Sequence, residues 1–248
     1  MRRLTTHDND ELMPPPDKGK KLNDSKIATI QKWISEGAEW SVHWAYRPLE
    51  NISLPDVANP DWIKNEIDQF VLAKLEANKL QPSPRADRHI LIKRLNYDLL
   101  GLLPSPKQVD AFVNDKSLDA YLKLVNRLLA SPHFGERWGR HWLDKARYAD
   151  SDGYEKDRPR PNAWRYRDWV INSINDDLPF DQFTIEQLAG DLLPESTDAQ
   201  KLATAFNRQT LTNTEGGTDK EQWRVAAVMD RVETLGSVWL GLTVGCAR

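Results

Sequence analysis

Leu118-Asp119-Ala120-Tyr121-Leu122-Lys123-Leu124-Val125-Asn126-Arg127-Leu128-Leu129 is the stretch from which the fold class is read. Leu118, Tyr121, Leu122, Val125, Leu128 and Leu129 recur at spacings of three and four, so a helix would gather them on one side. A strand would scatter them over both faces. Upstream, Ser105-Pro106 places a capping hydroxyl before proline at a first helical position. Before that, Asp87 can cap a helix carrying Ile90, Leu91, Leu95 and Leu99 that stops near Gly101. Downstream, Ser131-Pro132 opens a helix expected to run through Trp138, Trp142 and Tyr148. Further helices are expected near 163–177, 181–190, 197–207 and 220–240, after a polar loop at 150–162.

Towards the start, Asn23 or Asp24 can cap a helix to about Glu36, with Ile27, Ile30, Trp33 and Ile34 on one face and Gly37 as the left-handed stop. Residues 41–60 carry Pro48, Pro55 and Pro60 without periodicity and read as a linker. A helix is expected to start at Asp61 and to line up Ile63, Ile67, Phe70, Val71 and Leu75. No alternating run of β-branched residues occurs, so the expected class is all-α.

The 248 residues carry 34 Lys and Arg against 37 Asp and Glu, a net charge of −3 that gives no general pull toward nucleic acid. No apolar run reaches the ~18 residues of a membrane span. Ten tryptophans are open to two readings, buried packing in a helical core or stacking against carbohydrate. The lone cysteine, Cys246, excludes an internal disulfide framework. Met1-Arg2-Arg3 precedes no apolar core and is not a secretory signal; the protein is cytoplasmic, or its true N-terminus lies upstream.

Four groups of residues could carry chemistry. Cys246-Ala247-Arg248 matches the first half of a C-x-x-C-H haem-attachment motif, and equally an ordinary small thiol. Met13 stands before three prolines and is either a soft axial ligand for haem iron or a packing methionine. Asp150, Asp152, Glu155 and Asp157 form an acidic loop that could hold Ca²⁺ or lie solvated beside Arg158 and Arg160. Glu215 and Glu221 flank a Gly-Gly turn and are weak candidates for acid–base work, as is His141 on the helix that also bears His133. That helix sets Trp138, Trp142 and Tyr148 beside Arg137, Arg140, His141, Asp144 and Arg147, which points to a buried polar network or a site.

Three stretches together resemble a known arrangement. Arg3-Leu4-Thr5 through Met13-Pro14-Pro15, with Leu22 through Trp33-Ile34-Ser35-Glu36-Gly37-Ala38-Glu39-Trp40, resembles the C-terminal part of a planctomycete-type cytochrome c domain. Ser131-Pro132-His133-Phe134-Gly135-Glu136-Arg137-Trp138, His141-Trp142-Leu143-Asp144 and Ala146-Arg147-Tyr148-Ala149-Asp150 resemble the uncharacterised helical domain that follows it. So do Asn213-Thr214-Glu215-Gly216-Gly217 and the run from Asp230-Arg231-Val232-Glu233-Thr234 to Cys246-Ala247-Arg248.

The resemblance implies residues 1–40 as a cytochrome c tail, 41–60 as a linker, and 61–248 as an irregular helical domain ending inside a haem-attachment motif. It implies Met13 as an axial ligand to haem iron and Cys246 as a haem c attachment cysteine. Neither haem would be completed within these residues, so the chain reads as a fragment of a larger multidomain protein. By the same resemblance that protein is periplasmic or secreted, its signal peptide lying outside the fragment. The expected function is electron transfer within a larger oxidoreductase. Its partners would be a redox protein or domain, the upstream cytochrome half and a downstream domain of the same chain. Two alternatives stay open. One is a hydrolase or carbohydrate-binding module with an accessory cytochrome, in which Trp164, Trp169, Glu215 and Glu221 matter most. The other is a non-catalytic scaffold between redox domains.

Overall fold

A computed structural model describes residues 1–153, 156–213 and 215–247. Among these the chain is all-α; its only β pairing is an isolated antiparallel bridge between Ser151 and Pro159. No helix of the described residues is long and apolar enough to cross a membrane. The chain divides into two compact units, Met1–Ser83 and Pro84–Arg248.

The first unit holds α1 (Arg2–Thr5), α2 (Asp24–Ser35) and α3 (Glu66–Ala77). Asn23 starts α2 by accepting the Lys26 N–H at 3.0 Å, and Gly37 after it has φ +103°. Residues 41–60 hold one short turn, Trp44–Tyr46, and no α-helix. The helix expected from Asp61 begins five residues later. The carboxylate of Asp68 takes the N–H of Lys64, and the Asn65 side chain caps Asp68 N, so the first turn closes at Glu66. Of the apolar positions on α3 only Leu72 is fully buried; Ile67, Phe70 and Val71 are exposed.

The second unit holds α4 (Arg88–Leu100), α5 (Pro106–Asn114), α6 (Ala120–Leu129), α7 (Pro132–Lys145), α8 (Trp164–Asn175), α9 (Phe180–Ala189), α10 (Asp198–Ala203) and α11 (Lys220–Leu235). Asp87 caps α4, Gly101 ends it at φ +69°, and Ser105 with Gln108 forms a capping box on α5. A first core joins α4, α5 and α6 around Ile92, Phe112, Ala120, Leu124 and Leu128. Helix α6 is therefore rotated relative to the stripe read from sequence. Its buried face is Ala120, Leu124 and Leu128, while Leu118, Tyr121, Leu122 and Leu129 are exposed. Leu118 precedes the helix, and the apolar arc of α6 from Ala120 to Leu129 is wider than the face its partners bury.

A second core lies between α7, α8, α9 and the segment after α10, around Leu143, Tyr166, Trp169, Val170, Phe183 and Phe206. Helices α7 and α8 touch closely because Gly135 and Gly139, four residues apart, face α8. A Cβ on Gly135 would sit 2.3 Å from Ile171 O, and one on Gly139 3.3 Å from Ile171 Cγ1. Asn175 closes the same contact, accepting Gly135 N–H at 2.7 Å and donating to Pro132 O at 3.2 Å. It satisfies backbone groups at a helix start whose own N-cap, Ser131, makes no side-chain bond.

Candidate functional site

The aromatic core is built round one buried amide. Gln187, fully buried on α9, accepts Trp142 Nε1–H at 2.8 Å and the Tyr166 hydroxyl at 2.7 Å, and donates to Phe183 O at 3.0 Å. Burial pushes the Tyr166 phenol above its ordinary range, against the bond from Trp142, so it stays a donor. The rings of Phe183 and Trp239 stand edge-on to Trp142 with centroids 4.8 and 5.5 Å away. Of the residues that suggested a polar network or a site on the helix through Trp138 and Trp142, only Trp142 enters this network; Arg140, His141 and Asp144 are exposed.

Past Lys145 the helix stops earlier than expected, because Arg147 adopts φ +58°. That turn aims its guanidinium at α11. Nη1 and Nη2 each lie 2.7 Å from an Asp230 carboxylate oxygen, and Nη2 also meets the Thr234 hydroxyl. Thr210 donates its hydroxyl to Asp230 at 2.6 Å. Burial raises the Asp230 pKa, but the bonds from Arg147 and Thr210 outweigh it and hold the carboxyl below the usual range. Two of the quoted stretches, 146–150 and 230–234, therefore meet in one ion-paired cluster.

The acidic loop is spent on internal bonds. Tyr148 hydroxyl donates to Asp150, Arg160 Nε to Asp152 at 3.1 Å, and Gly153 N–H to Asp157 at 2.8 Å. Arg160 continues to Thr210 O at 2.7 Å and Thr212 Oγ1 at 3.1 Å, which ties the loop to the segment before α11. Burial and then the Asp150 bond push the Tyr148 phenol upward. Glu155 lies outside the described residues, as do Tyr154, Thr214 and Arg248 of the quoted motifs. Among the described residues no three His, Cys, Asp or Glu side chains group to hold a metal ion.

Of the candidate residues, His141 is exposed on α7, its ring 5.7 Å from Trp138, and lines a cavity of about 570 Å³ with Trp142, Lys145 and Phe180. His133 pairs with Glu136 at 2.7 Å. Glu221 sits exposed in the first turn of α11, its carboxylate 2.7 Å from Arg224, whose bond lowers the Glu221 pKa. Glu215 lies in the preceding turn, its N–H donating to Asn213 Oδ1 at 2.8 Å. Met13 belongs to the first unit, 38% exposed, its N–H donating to Arg3 O at 2.7 Å. Cys246 belongs to the second, exposed and free of any disulfide on the turn Gly245–Ala247. That turn is packed against α11: a Cβ on Gly245 would meet Glu233 Oε1 at 2.6 Å, and Val244 lies over Gly236.

Two cavities that sequence reading did not foresee lie along α8. One, of about 690 Å³, is lined by Trp164, Trp169, Asp168, Asp176 and the buried Glu186. Glu186 Oε1 accepts from Gln182 at 2.9 Å and Gln200 at 3.3 Å. The other, of about 610 Å³, is lined by Arg160, Arg165, Arg208 and Gln209 among others. Gln187, Glu186 and Gln209 left no signal in the sequence, since each stands among other polar residues.

No curated protein matches this chain, and no solved structure does. One family model matches, over residues 66–248, and its description is PSCyt2, a protein of unknown function (DUF1549). It covers α3 to the Cys246 turn, and with it the Gln187 network, the Arg147–Asp230 cluster and both α8 cavities. The helical chain described here belongs to the PSCyt2 (DUF1549) family.

Proposed function

We propose that this chain is part of an extracytoplasmic haem c protein that transfers electrons within a larger oxidoreductase. The observation that carries the reading is the placement of Cys246. A thioether to a haem vinyl group needs a thiol that is reachable and not already bonded, and Cys246 is both. Its turn packs on α11, with Gly245 close to Glu233 and Val244 over Gly236. Met13, partly exposed ahead of Pro14, fits a soft axial ligand for a separate haem, that of the cytochrome domain. When bound, haem c supplies a one-electron couple. The chain's own part would be to anchor one haem through Cys246, with local polarity set by groups such as Glu233, and to offer the Met13 sulfur to a different haem, that of the cytochrome domain.

The test is the absorption spectrum of the natural longer protein, matured in a host that attaches haem c. A redox-active Soret and α-band equivalent to two haems supports electron transfer. A colourless protein after verified maturation contradicts it.

A second reading, a hydrolase or carbohydrate-binding module, is favoured by one feature: the Trp164 cavity. An exposed tryptophan beside Asp168, Asp176 and Glu186 offers a stacking face and acceptors for sugar hydroxyls. Glu221, paired to Arg224, contributes nothing there. Haem-free protein that binds oligosaccharide, with binding lost in Glu186→Gln, would support that reading.

A further inference from the structure

The cavity of about 690 Å³ bordered by α8, α9 and α10 is acidic. Trp164, Asp168, Asn172 and Asp176 recur at every fourth residue of α8 and line its edge, so the two aspartates stand about 12 Å apart along the helix. Glu186 of α9 supplies a third carboxylate, and the one cation in the lining is Arg165. Asp168 pairs with Arg167 at 3.0 Å, whereas among the described residues neither Asp176 nor Glu186 has a cationic partner. Asp176 is also the C-cap of α8, whose last turn holds no basic residue, and the helix dipole favours positive charge at that end.

An independent observation comes from Glu186 itself, which is only 8% exposed. Its protein bonds both fall on Oε1, from Gln182 Nε2 at 2.9 Å and Gln200 Nε2 at 3.3 Å. Two amide donors on one oxygen orient the carboxylate. Among the described residues Oε2 has no partner, and it is not sealed by protein, so it opens onto the cavity that Glu186 lines. A carboxylate buried this deeply without a counter-charge is costly, and a cationic donor in the cavity offsets that cost. The three carboxylates do not group closely enough to hold one metal ion, so a cation that satisfies them carries its charge at separated points. Trp164 offers such a ligand a ring face for methylenes or ammonium groups: it is still 44% exposed with the Arg165 guanidinium 5.7 Å from its centre.

We infer that this cavity binds an aliphatic polyamine, its ammonium groups shared among Glu186 Oε2, Asp168 and Asp176 and its methylene chain passing the Trp164 ring. The cavity is the one in which the second reading places sugar, but the inference rests neither on that reading nor on the haem. The experiment is calorimetric titration of the whole chain at low salt with three probes. Spermidine carries charge spread along a chain, Mg²⁺ charge at one point, and cellobiose hydroxyls without charge. Spermidine should bind at least about tenfold tighter than either, and added salt should weaken it. Glu186→Gln and Asp176→Asn should each weaken spermidine by about tenfold. Asp177→Asn removes the neighbouring charge, which lies outside the cavity lining, and should leave binding as in the parent. Asp176 is exposed, so its variant keeps the test decisive if Glu186→Gln does not fold. Spermidine binding no tighter than Mg²⁺, or weakened as much by Asp177→Asn as by Asp176→Asn, is general charge attraction and overturns the site. Cellobiose binding without a preference for spermidine overturns the polyamine and supports the second reading, and binding of neither overturns both.

Discussion

Replacing Gln187 by methionine keeps the side-chain length and removes both the acceptor and the donor at the centre of the second core. Two buried donors then lose their acceptor, Trp142 Nε1–H at 2.8 Å and the Tyr166 hydroxyl at 2.7 Å. An orphaned buried donor costs about 1–3 kcal/mol. The Trp142 N–H retains a longer contact to the Tyr166 oxygen at 3.3 Å, which recovers part of one penalty. The net expectation is a loss of about 2–4 kcal/mol, or roughly 4–16 °C in melting temperature for a protein of this size. Urea unfolding followed by circular dichroism should show a lower midpoint with an unchanged slope. Tyr166→Phe in the same chain removes one orphan together with its lost partner, so the double variant should lose less than the two single losses added. A Gln187→Met protein within about 0.5 kcal/mol of the parent would refute the network as a stabilising element.

Three further outcomes follow from the geometry. Because bonds from Arg147 and Thr210 hold the folded Asp230 pKa below its unfolded value, its contribution is complete above the usual carboxylate pKa and fades as pH falls through the folded one. Asp230→Asn should therefore cost about 1–2 kcal/mol at neutral pH, after allowing for the partial exposure of Arg147, and flatten the acid limb of the stability curve. Gly135→Ala should destabilise by about 1–3 kcal/mol or more, since its Cβ would meet Ile171 O at 2.3 Å, whereas Gly216→Ala, with nothing within 4 Å, should stay within about 0.5 kcal/mol. Limited proteolysis should cut first between Arg47 and Leu54, where Leu49 and Ile52 stand fully in the open with no helix around them.

Helix existence was legible where caps and stops are local. Asn23, Asp87, Ser105 with Pro106, and Gly101 each do in the structure what their side-chain chemistry dictates within four residues of chain. What depends on a distant partner was not legible. The phase of α6 is set by α4 and α5, because its apolar arc is wider than the face they cover and the sequence does not say which edge of it is buried. The end of α7 is set by an ion pair to a residue 83 positions later, so nothing near Arg147 announces its left-handed turn. The start of α3 went to Asn65 over Asp61 because the Asp68 carboxylate takes the Lys64 N–H that a cap at Asp61 would need, while Asn65 caps Asp68 N.

The candidate residues divide along the same line. Trp142 sits in a polar network, but its partners are Tyr166 and Gln187 on other helices and not the charged residues of its own helix. The acidic loop looked like one cluster of carboxylates, yet its described members each bond a different neighbour. Glu186 and Gln209 became visible only once burial was known, because a glutamate or glutamine in a helix is otherwise the ordinary solvent-facing choice.

The central claim, that Cys246 anchors a haem, is tested most directly by a denaturing gel stained for haem peroxidase activity after co-expression with a haem c maturation system. Two proteins are compared: the longer protein that the proposal requires, carrying the whole attachment motif, and the same protein with Cys246→Ser. The two differ at this thiol alone, so the difference in staining isolates it. The account predicts a stained band in the first and a weakened or absent band in the second at equal protein loading. Equal staining of the two, or no staining of the first, would contradict it.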